Sequence, residues 1–248
     1  MKASKKIAIL IPAYNESKHI KDVVISCIEK YSSLDVIIVD DGSTDNTGEI
    51  IKDLEKNYLN RQKNKIILLK HDTNKGKGQA LKTGFTYAIN NNYYGVITID
   101  ADGQHKISEI SNFLKAVDEY KPDIIVGSRF KNVKGMPFIR LVTNIFTSWL
   151  ISAIAGKKIE DVQSGFRFIS KNVLTKVKLE TANFDTEPEI LLKASWKKFK
   201  IINIPITTIY HKDFVSHVNP ITDTIKFFKL IFKSLKWKKQ FKRSHTRF

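Results

Sequence analysis

The chain of 248 residues contains one cysteine, Cys27, which excludes an internal disulfide framework and suits a reducing compartment. Val23, Val24 and Ile28 flank Cys27 on what reads as an apolar helix face, so it is expected to be a small core residue rather than a nucleophile. The sequence also lacks an unbroken apolar stretch of the ~18 residues that a membrane-spanning helix needs. Its longest candidate, Phe138 to Ala155, is interrupted by Arg140, Asn144 and several hydroxyl residues. The basic start, Met1 to Lys6, is followed by an apolar run too short for a secretory leader, Ile7 to Pro12. A soluble or peripheral protein is expected.

Two nucleotide-binding signatures are missing. Gly-x-x-x-x-Gly-Lys-Ser/Thr does not occur, which excludes a P-loop, and no Gly-x-Gly-x-x-Gly follows the first strand, which counts against a dinucleotide-dependent oxidoreductase. Acidic residues are scarce beside basic ones, 25 against 42, and the stretch Lys226 to Phe248 has nine Lys and Arg with no Asp or Glu. Such a tail either is simply solvated or meets an anionic partner, whether a membrane surface, a nucleic acid or a phosphorylated substrate. It carries no RNA-binding signature such as an RNP motif, so nucleic acid is not expected.

The content is that of a single large α/β domain, 42% hydrophobic, with no internal repeat and no Pro/Gly/Ser-rich linker. Short Val/Ile/Leu runs alternate with helical stretches over the first 130 residues, the pattern of a mainly parallel sheet with crossover helices. The runs are Ile7 to Ile11, Val36 to Val39, Ile66 to Leu69, Val96 to Ile99 and Ile124 to Val126, each reading as a strand buried on both faces. Helices are expected over Ser17 to Tyr31, Thr44 to Asn57, Gly78 to Asn91 and Ile107 to Tyr120.

Polar residues gather where these strands end: Asn15 and Glu16, Asp40 and Asp41, Asp100 and Asp102, and Arg129. Ligands of open α/β sheets bind outside the carboxyl ends of the strands. Asp100-Ala101-Asp102-Gly103-Gln104 reads as a compact set of hard oxygen ligands for Mg²⁺ or Mn²⁺ carrying a diphosphate, or as a turn satisfying its own backbone. In Asp40-Asp41-Gly42-Ser43-Thr44-Asp45, Ser43 or Thr44 can cap the next helix and Asp45 can complement its dipole. That leaves Asp40 and Asp41 free to accept from a base or a ribose. Lys75-Gly76-Lys77-Gly78 precedes a helix and offers N–H groups and a cation to an anion.

The ordered series Ile11-Pro12-Ala13-Tyr14-Asn15-Glu16, Val39 to Asp45, Asn74 to Gly78, Asp100-Ala101-Asp102-Gly103-Gln104-His105 and Gly127-Ser128-Arg129 resembles family 2 glycosyltransferases of the GT-A fold. Gln163-Ser164-Gly165-Phe166-Arg167 and Phe184-Asp185-Thr186-Glu187 extend the resemblance toward the dolichyl-phosphate mannose synthase branch, over about Ile7 to Phe228. The resemblance implies that Pro12, Tyr14 and Glu16 meet the nucleotide, Asp41 the base or ribose, and Asp100 with Ala101 the ribose and sugar. It places Asp102 and Gln104 on Mg²⁺ or Mn²⁺, Lys77 on the nucleotide sugar, and Arg129 and Lys212 on phosphate. Asp100, Asp102 and Arg129 then carry the chemistry, and the donor is a nucleotide diphosphate sugar of the GDP-mannose or UDP-glucose type.

An inverting displacement follows from these parts. A polyprenyl phosphate acceptor is already ionised and needs no base, whereas a saccharide or protein hydroxyl would need one, Asp100 or Glu187. Glu187 reads equally as a cap of the helix that begins near Thr186. A non-catalytic anion binder is the remaining alternative. The catalytic domain is expected over 1–220 and a basic amphipathic helix with its tail over 221–248. In that helix Ile221, Ile225, Phe228, Phe232 and Leu235 share one face, with Lys226, Lys229, Lys233 and Lys236 elsewhere around it. This suits an anionic membrane surface, so the protein is expected to lie peripherally on the cytoplasmic face of a membrane. Phe138 to Ala155 reads either as a core helix or as a second element at the lipid interface.

Overall fold

A computed structural model describes residues 5–58, 64–131, 133, 136, 138–209 and 220–245, the last segment without side chains for 220–228 and 242–245. Seven strands form one sheet: β1 (Ile7–Ala13), β2 (Asp35–Asp40), β3 (Ile66–Lys70), β4 (Gly95–Thr98), β5 (Ile124–Ser128), β6 (Arg167–Ser170) and β7 (Ile201–Pro205). Their spatial order is β3-β2-β1-β4-β6-β5-β7. All neighbours are parallel except β6, which runs antiparallel between β4 and β5. The mainly parallel sheet expected from the Val/Ile runs is present.

Alternation along the strands divides the core in two. Ile7, Ile9 and Ile11 of β1 join Val36 and Ile38 of β2 under helices α1 (Ile20–Lys30), α2 (Thr47–Tyr58) and α4 (Ile110–Tyr120). Ala8 and Leu10, with Ile37 and Val39, face α3 (Lys77–Asn90), α5 (Phe138–Ala155), α6 (Lys171–Lys176), α7 (Thr186–Trp196) and α8 (Pro220–His245). Neighbouring residues of one strand thus serve opposite layers, which is why the strands read as continuous apolar runs. Cys27 is buried in the α1 layer, and desolvation pushes its thiol up to about 12, in keeping with a core residue.

Three expectations change. β3 lies at the sheet edge, so only Ile66 is buried while Ile67 to Leu69 are half-covered, and burial on both faces does not extend to it. α2 starts at Thr47 rather than Thr44, and the Thr44 N–H in the loop before it donates to Asn15 Oδ1 at 2.8 Å. The cap is Asp45, whose Oδ1 accepts from the Thr47 N–H at 3.0 Å, and not Ser43 or Thr44. α1 likewise starts at Ile20, and the Ser17 N–H ahead of it donates to Asp45 Oδ2 at 3.1 Å. A 3-10 turn, Ile107–Glu109, precedes α4.

α5 is 18 residues long and apolar enough to cross a membrane by length and composition, more so than its interruptions implied. Asn144, Thr147, Ser148, Ile151 and Ile154 face the body of the protein, while Phe138, Ile139, Val142, Ile145, Phe146 and Trp149 are exposed. On α8, Leu230, Ser234 and Trp237 are the buried face, and Phe232 and Leu235 point outward. The side chains of Ile221, Ile225, Phe228 and Lys226 lie outside the described residues.

Candidate active site

The loops that follow β1 and β2 are knitted together at the carboxyl edge of the sheet. Asn15 sits at φ 55, a left-handed conformation that asparagine tolerates, and its N–H donates to Ser43 Oγ at 3.0 Å. The Glu16 N–H donates to Thr47 Oγ1 at 2.8 Å. This fixes Pro12, buried in β1, and Tyr14 and Glu16, partly open to solvent, along one rim.

Asp40 and Asp41 have separate tasks. Asp40 is fully buried and accepts from the Ser43 N–H at 3.0 Å, so it shapes the turn. Asp41 accepts from the N–H groups of Lys75 (3.0 Å) and Gly76 (2.8 Å) and faces His71 Nδ1 at 2.6 Å. His71 Nε2 in turn meets Thr83 Oγ1 at 2.9 Å. A strand-end carboxylate therefore pins the loop that carries Lys77. Gly42, at φ +70, lies where a Cβ would collide with the main chain of Thr73 and Asn74, so only glycine lets the two loops approach this closely.

That loop delivers Lys77 to the carboxylates. Lys77 Nζ is 2.6 Å from Asp100 Oδ1 and 3.3 Å from Glu187 Oε1, so groups from three distant segments meet on one ammonium. Desolvation would lower the ammonium's pKa, but Asp100 and Glu187 more than offset it and the net shift is upward. The other oxygen of Asp100 faces His105 Nε2 at 3.2 Å, and His105 packs on Phe166 with ring centroids 5.1 Å apart. Burial raises the Asp100 carboxyl, yet Lys77 and His105 hold it far below the usual carboxylate range. Glu187 is in the first turn of α7, but its carboxylate is directed to Lys77, and the cap reading of this residue does not describe it.

Asp102 follows in the same turn. Its Oδ1 accepts from the Gln104 N–H at 2.9 Å, and Gly103 takes φ +72 to close the bend. Burial, and then the charge of Asp100, push Asp102 above its ordinary range. Glu16 is raised to about 7 by burial, then by Asp102, Asp100 and Asp45. These carboxylates resist sharing the edge, and a cation placed among them relieves the repulsion. Among the described residues no group of three or more His, Cys, Asp or Glu is arranged to hold a metal by itself. A divalent ion on Asp102 and Gln104 thus fits only with oxygens from a ligand and water completing its shell.

Arg129 is at the end of β5, nearly buried, and clamped by Asp161 in two-point fashion: Nε to Oδ2 at 2.6 Å and Nη2 to Oδ1 at 2.8 Å. The buried Asp161 was not singled out by its sequence. Ala101 is buried beside Asp100 and Asp102. Lys212 lies outside the described residues. The stretch leading toward it is held at this edge, because the Ile209 N–H donates to the Gln104 carbonyl at 2.9 Å. The site as built brings together Asp100, Asp102, Lys77 and Glu187, with Glu16 within electrostatic range. Asp41 acts on its loop, and Arg129 is set in a separate ion pair. His71, His105 and Asp161 are contributors that spacing alone did not mark, though His105 was part of the Asp-Ala-Asp-Gly-Gln-His series.

Comparison with known proteins gives the family. A UDP-N-acetylglucosamine–dolichyl-phosphate N-acetylglucosaminyltransferase of Methanococcus voltae is 37% identical over 220 residues, covering 84% of this chain and 87% of that protein. A polyprenol monophosphomannose synthase of Mycolicibacterium smegmatis is 28% identical over 214 residues, covering 84% of this chain and 78% of the relative. The fold matches a crystal structure of glucosyl-3-phosphoglycerate synthase from Mycobacterium tuberculosis in complex with Mn²⁺, UDP and phosphoglyceric acid, with a TM-score of 0.71 over 96% of this chain and 79% of that one, at 16% identity. The model of glycosyl transferase family 2 matches residues 8–178. The chain is a glycosyltransferase of the GT-A fold and belongs to glycosyl transferase family 2, in its dolichyl-phosphate mannose synthase-like branch.

Proposed function

We propose that the protein moves a sugar from a nucleotide diphosphate sugar to a polyprenyl phosphate with inversion at the anomeric carbon. The observation that carries this is the convergence of Lys77, Asp100 and Glu187 beside Asp102, a polar edge with one firmly charged ammonium among carboxylates. The relatives named above act on dolichyl phosphate or make a polyprenol monophosphomannose, and the acceptor class is taken from them. The donor set widens accordingly, from GDP-mannose and UDP-glucose to UDP-N-acetylglucosamine.

In this reading Pro12, Tyr14, Glu16 and Asp41 line the nucleoside, and Asp100 and Ala101 lie against ribose and sugar. Asp102 and Gln104 hold Mg²⁺ or Mn²⁺. A cation held there would supply charge neutralisation to the departing diphosphate. Lys77 leaves Asp100 and Glu187 for a phosphate oxygen of the donor and orients it. Arg129 and Lys212 draw in the acceptor phosphate. An oxygen of that phosphate forms the new bond to the anomeric carbon as the bond to the nucleoside diphosphate breaks. The phosphate is ionised at neutral pH, so no residue is required to remove a proton, and positioning with electrostatics carries the step.

The exposed apolar row of α5 and the outward Phe232 and Leu235 of α8, with the lysines of α8, lie on an anionic membrane surface from which the lipid acceptor is drawn. The experiment is organic extraction after incubation with labelled nucleotide sugar, polyprenyl phosphate and divalent metal. Sugar passing into the organic phase with equimolar release of nucleoside diphosphate supports the reading. Sugar retained on a water-soluble acceptor would instead support saccharide or protein glycosylation.

A further inference from the structure

Arg167 has no role in the account so far, although it closes the Gln163 to Arg167 segment. It opens β6, the one antiparallel strand, and pairs with Thr98 of β4 on one side and Val126 of β5 on the other. Because β6 runs backwards, its first residue lies at the edge where β4 and β5 release Asp100 and Arg129. The side chain is among the largest fully buried ones, at 1% exposure.

An arginine so deeply buried is costly unless its charge is compensated and its donors are used. Among the described residues no carboxylate forms an ion pair with Arg167. Its guanidinium is instead given to two carbonyls. Nη1 donates to the Glu187 carbonyl at 2.8 Å and Nη2 to the Val162 carbonyl at 2.6 Å. The first is the main chain of the residue whose carboxylate meets Lys77. The second is the residue after Asp161, which clamps Arg129. Nε is buried without a hydrogen-bond partner among the described residues. A small, mostly apolar cavity of about 10 Å³ is lined by Arg167, Thr98, Thr186 and Glu187 together with the side chains of Leu81, Phe85, Ile169 and Ile190.

We propose that Arg167 is a positioning residue of the transfer reaction, setting the Glu187 main chain and the segment of the Arg129–Asp161 clamp in fixed relation through one buried guanidinium. The planar fork is what the task needs, because two carbonyls on separate segments are held at a set angle, and a single ammonium cannot do this. Burial disfavours the charge and moves the guanidinium below its ordinary range, and Glu187, Asp161 and Asp100 offset only part of that desolvation. A displacement of about 1 Å of such groups costs on the order of a hundredfold in rate. The inference rests on this edge being the transfer site and not on the identity of the acceptor.

The test compares Arg167→Lys and Arg167→Gln with the wild type in sugar transfer, nucleoside diphosphate affinity by calorimetry, and thermal unfolding. Arg167→Lys keeps the charge and serves should Arg167→Gln fail to fold. The expected result is a kcat at least tenfold lower per folded molecule, with the dissociation constant of UDP or GDP within twofold of wild type. Addition of guanidinium at millimolar concentration to a folded Arg167→Ala should restore part of the rate. Wild-type kcat in folded Arg167→Lys, or a loss that follows the folded fraction alone, overturns the inference while leaving the transfer reading intact. A wild type that neither transfers nor hydrolyses any donor overturns both.

Discussion

The ammonium of Lys77 stands 2.6 Å from Oδ1 of Asp100, joining the loop pinned by Asp41 to the turn that bears Asp102. In the donor-free protein this contact supplies the positive charge at an edge otherwise lined by carboxylates. Lys77→Met removes the ammonium and leaves Asp100 with the His105 ring as its remaining side-chain partner. Nucleoside diphosphate affinity should fall tenfold or more by calorimetry, with transfer falling further. Unchanged affinity would place the diphosphate elsewhere.

The Arg129–Asp161 clamp carries a stability prediction. Both side chains are nearly buried, so Asp161→Ala removes the two-point carboxylate clamp from a buried guanidinium. Loss of one partner of a buried pair costs about 3–5 kcal/mol. Chemical denaturation should show a loss of this order, and a Tm roughly 10 °C lower is expected for a chain of this size. A neutral effect would mean that Arg129 finds another anion on relaxing.

Gly165 separates function from folding. A Cβ there would collide first with the Asp100 carboxylate. Gly165→Ala should therefore turn Asp100 away from Lys77 and reduce kcat more than tenfold, with Tm moved by only a few degrees. Full activity in this variant would remove Asp100 from the machinery.

Glu16 gives a dependence on pH. Its folded-state pKa is raised to about 7 by burial and then by Asp102, Asp100 and Asp45. A raised carboxyl means that the folded state holds its proton more tightly than the unfolded state does. The associated stability is full below the unfolded pKa, about 4.3, and is lost as pH rises through about 7. Metal-free protein should accordingly lose stability between these pH values, and Glu16→Gln should flatten that slope. An equal slope in the variant would assign it to another group.

Much of this site could be read from the residues in order. The Val/Ile runs of β1, β2, β4 and β5 are buried on both faces, and each hands a polar residue to the same edge, so the edge was visible before the fold. β6 and β7 were not. β6 is four residues long and begins with Arg167, and no apolar run announces it. β7 lies at the sheet edge and is only partly buried, so its pattern carries little signal. The meeting of Lys77 with Glu187, and of Arg129 with Asp161, depends on crossovers that bring distant segments together, and local spacing holds no trace of either. The loops before α1 and α2 are likewise tied to each other, Ser17 to Asp45 and Thr44 to Asn15, contacts that local spacing does not show.

The apolar row on α5 answers to a direct test. Phe146 and Trp149 are 52% and 63% exposed, and they stack with centroids 6.1 Å apart. The double variant Phe146→Glu/Trp149→Glu should move its Tm by only a few degrees, since both side chains are more than half exposed, and should lose most of its sedimentation with anionic vesicles. Undiminished sedimentation would shift the contact to α8.

Transfer to lipid phosphate is tested most directly with a matched pair of acceptors. Polyprenyl phosphate and the corresponding free polyprenol are each incubated with the protein, Mg²⁺ or Mn²⁺, and labelled UDP-N-acetylglucosamine, GDP-mannose or UDP-glucose in turn, with Asp102→Ala as control. The account predicts organic-soluble label with one donor, only with the phosphate, and loss of at least a hundredfold in Asp102→Ala. Label on the free polyprenol, or equal label with the Asp102→Ala protein, would contradict it.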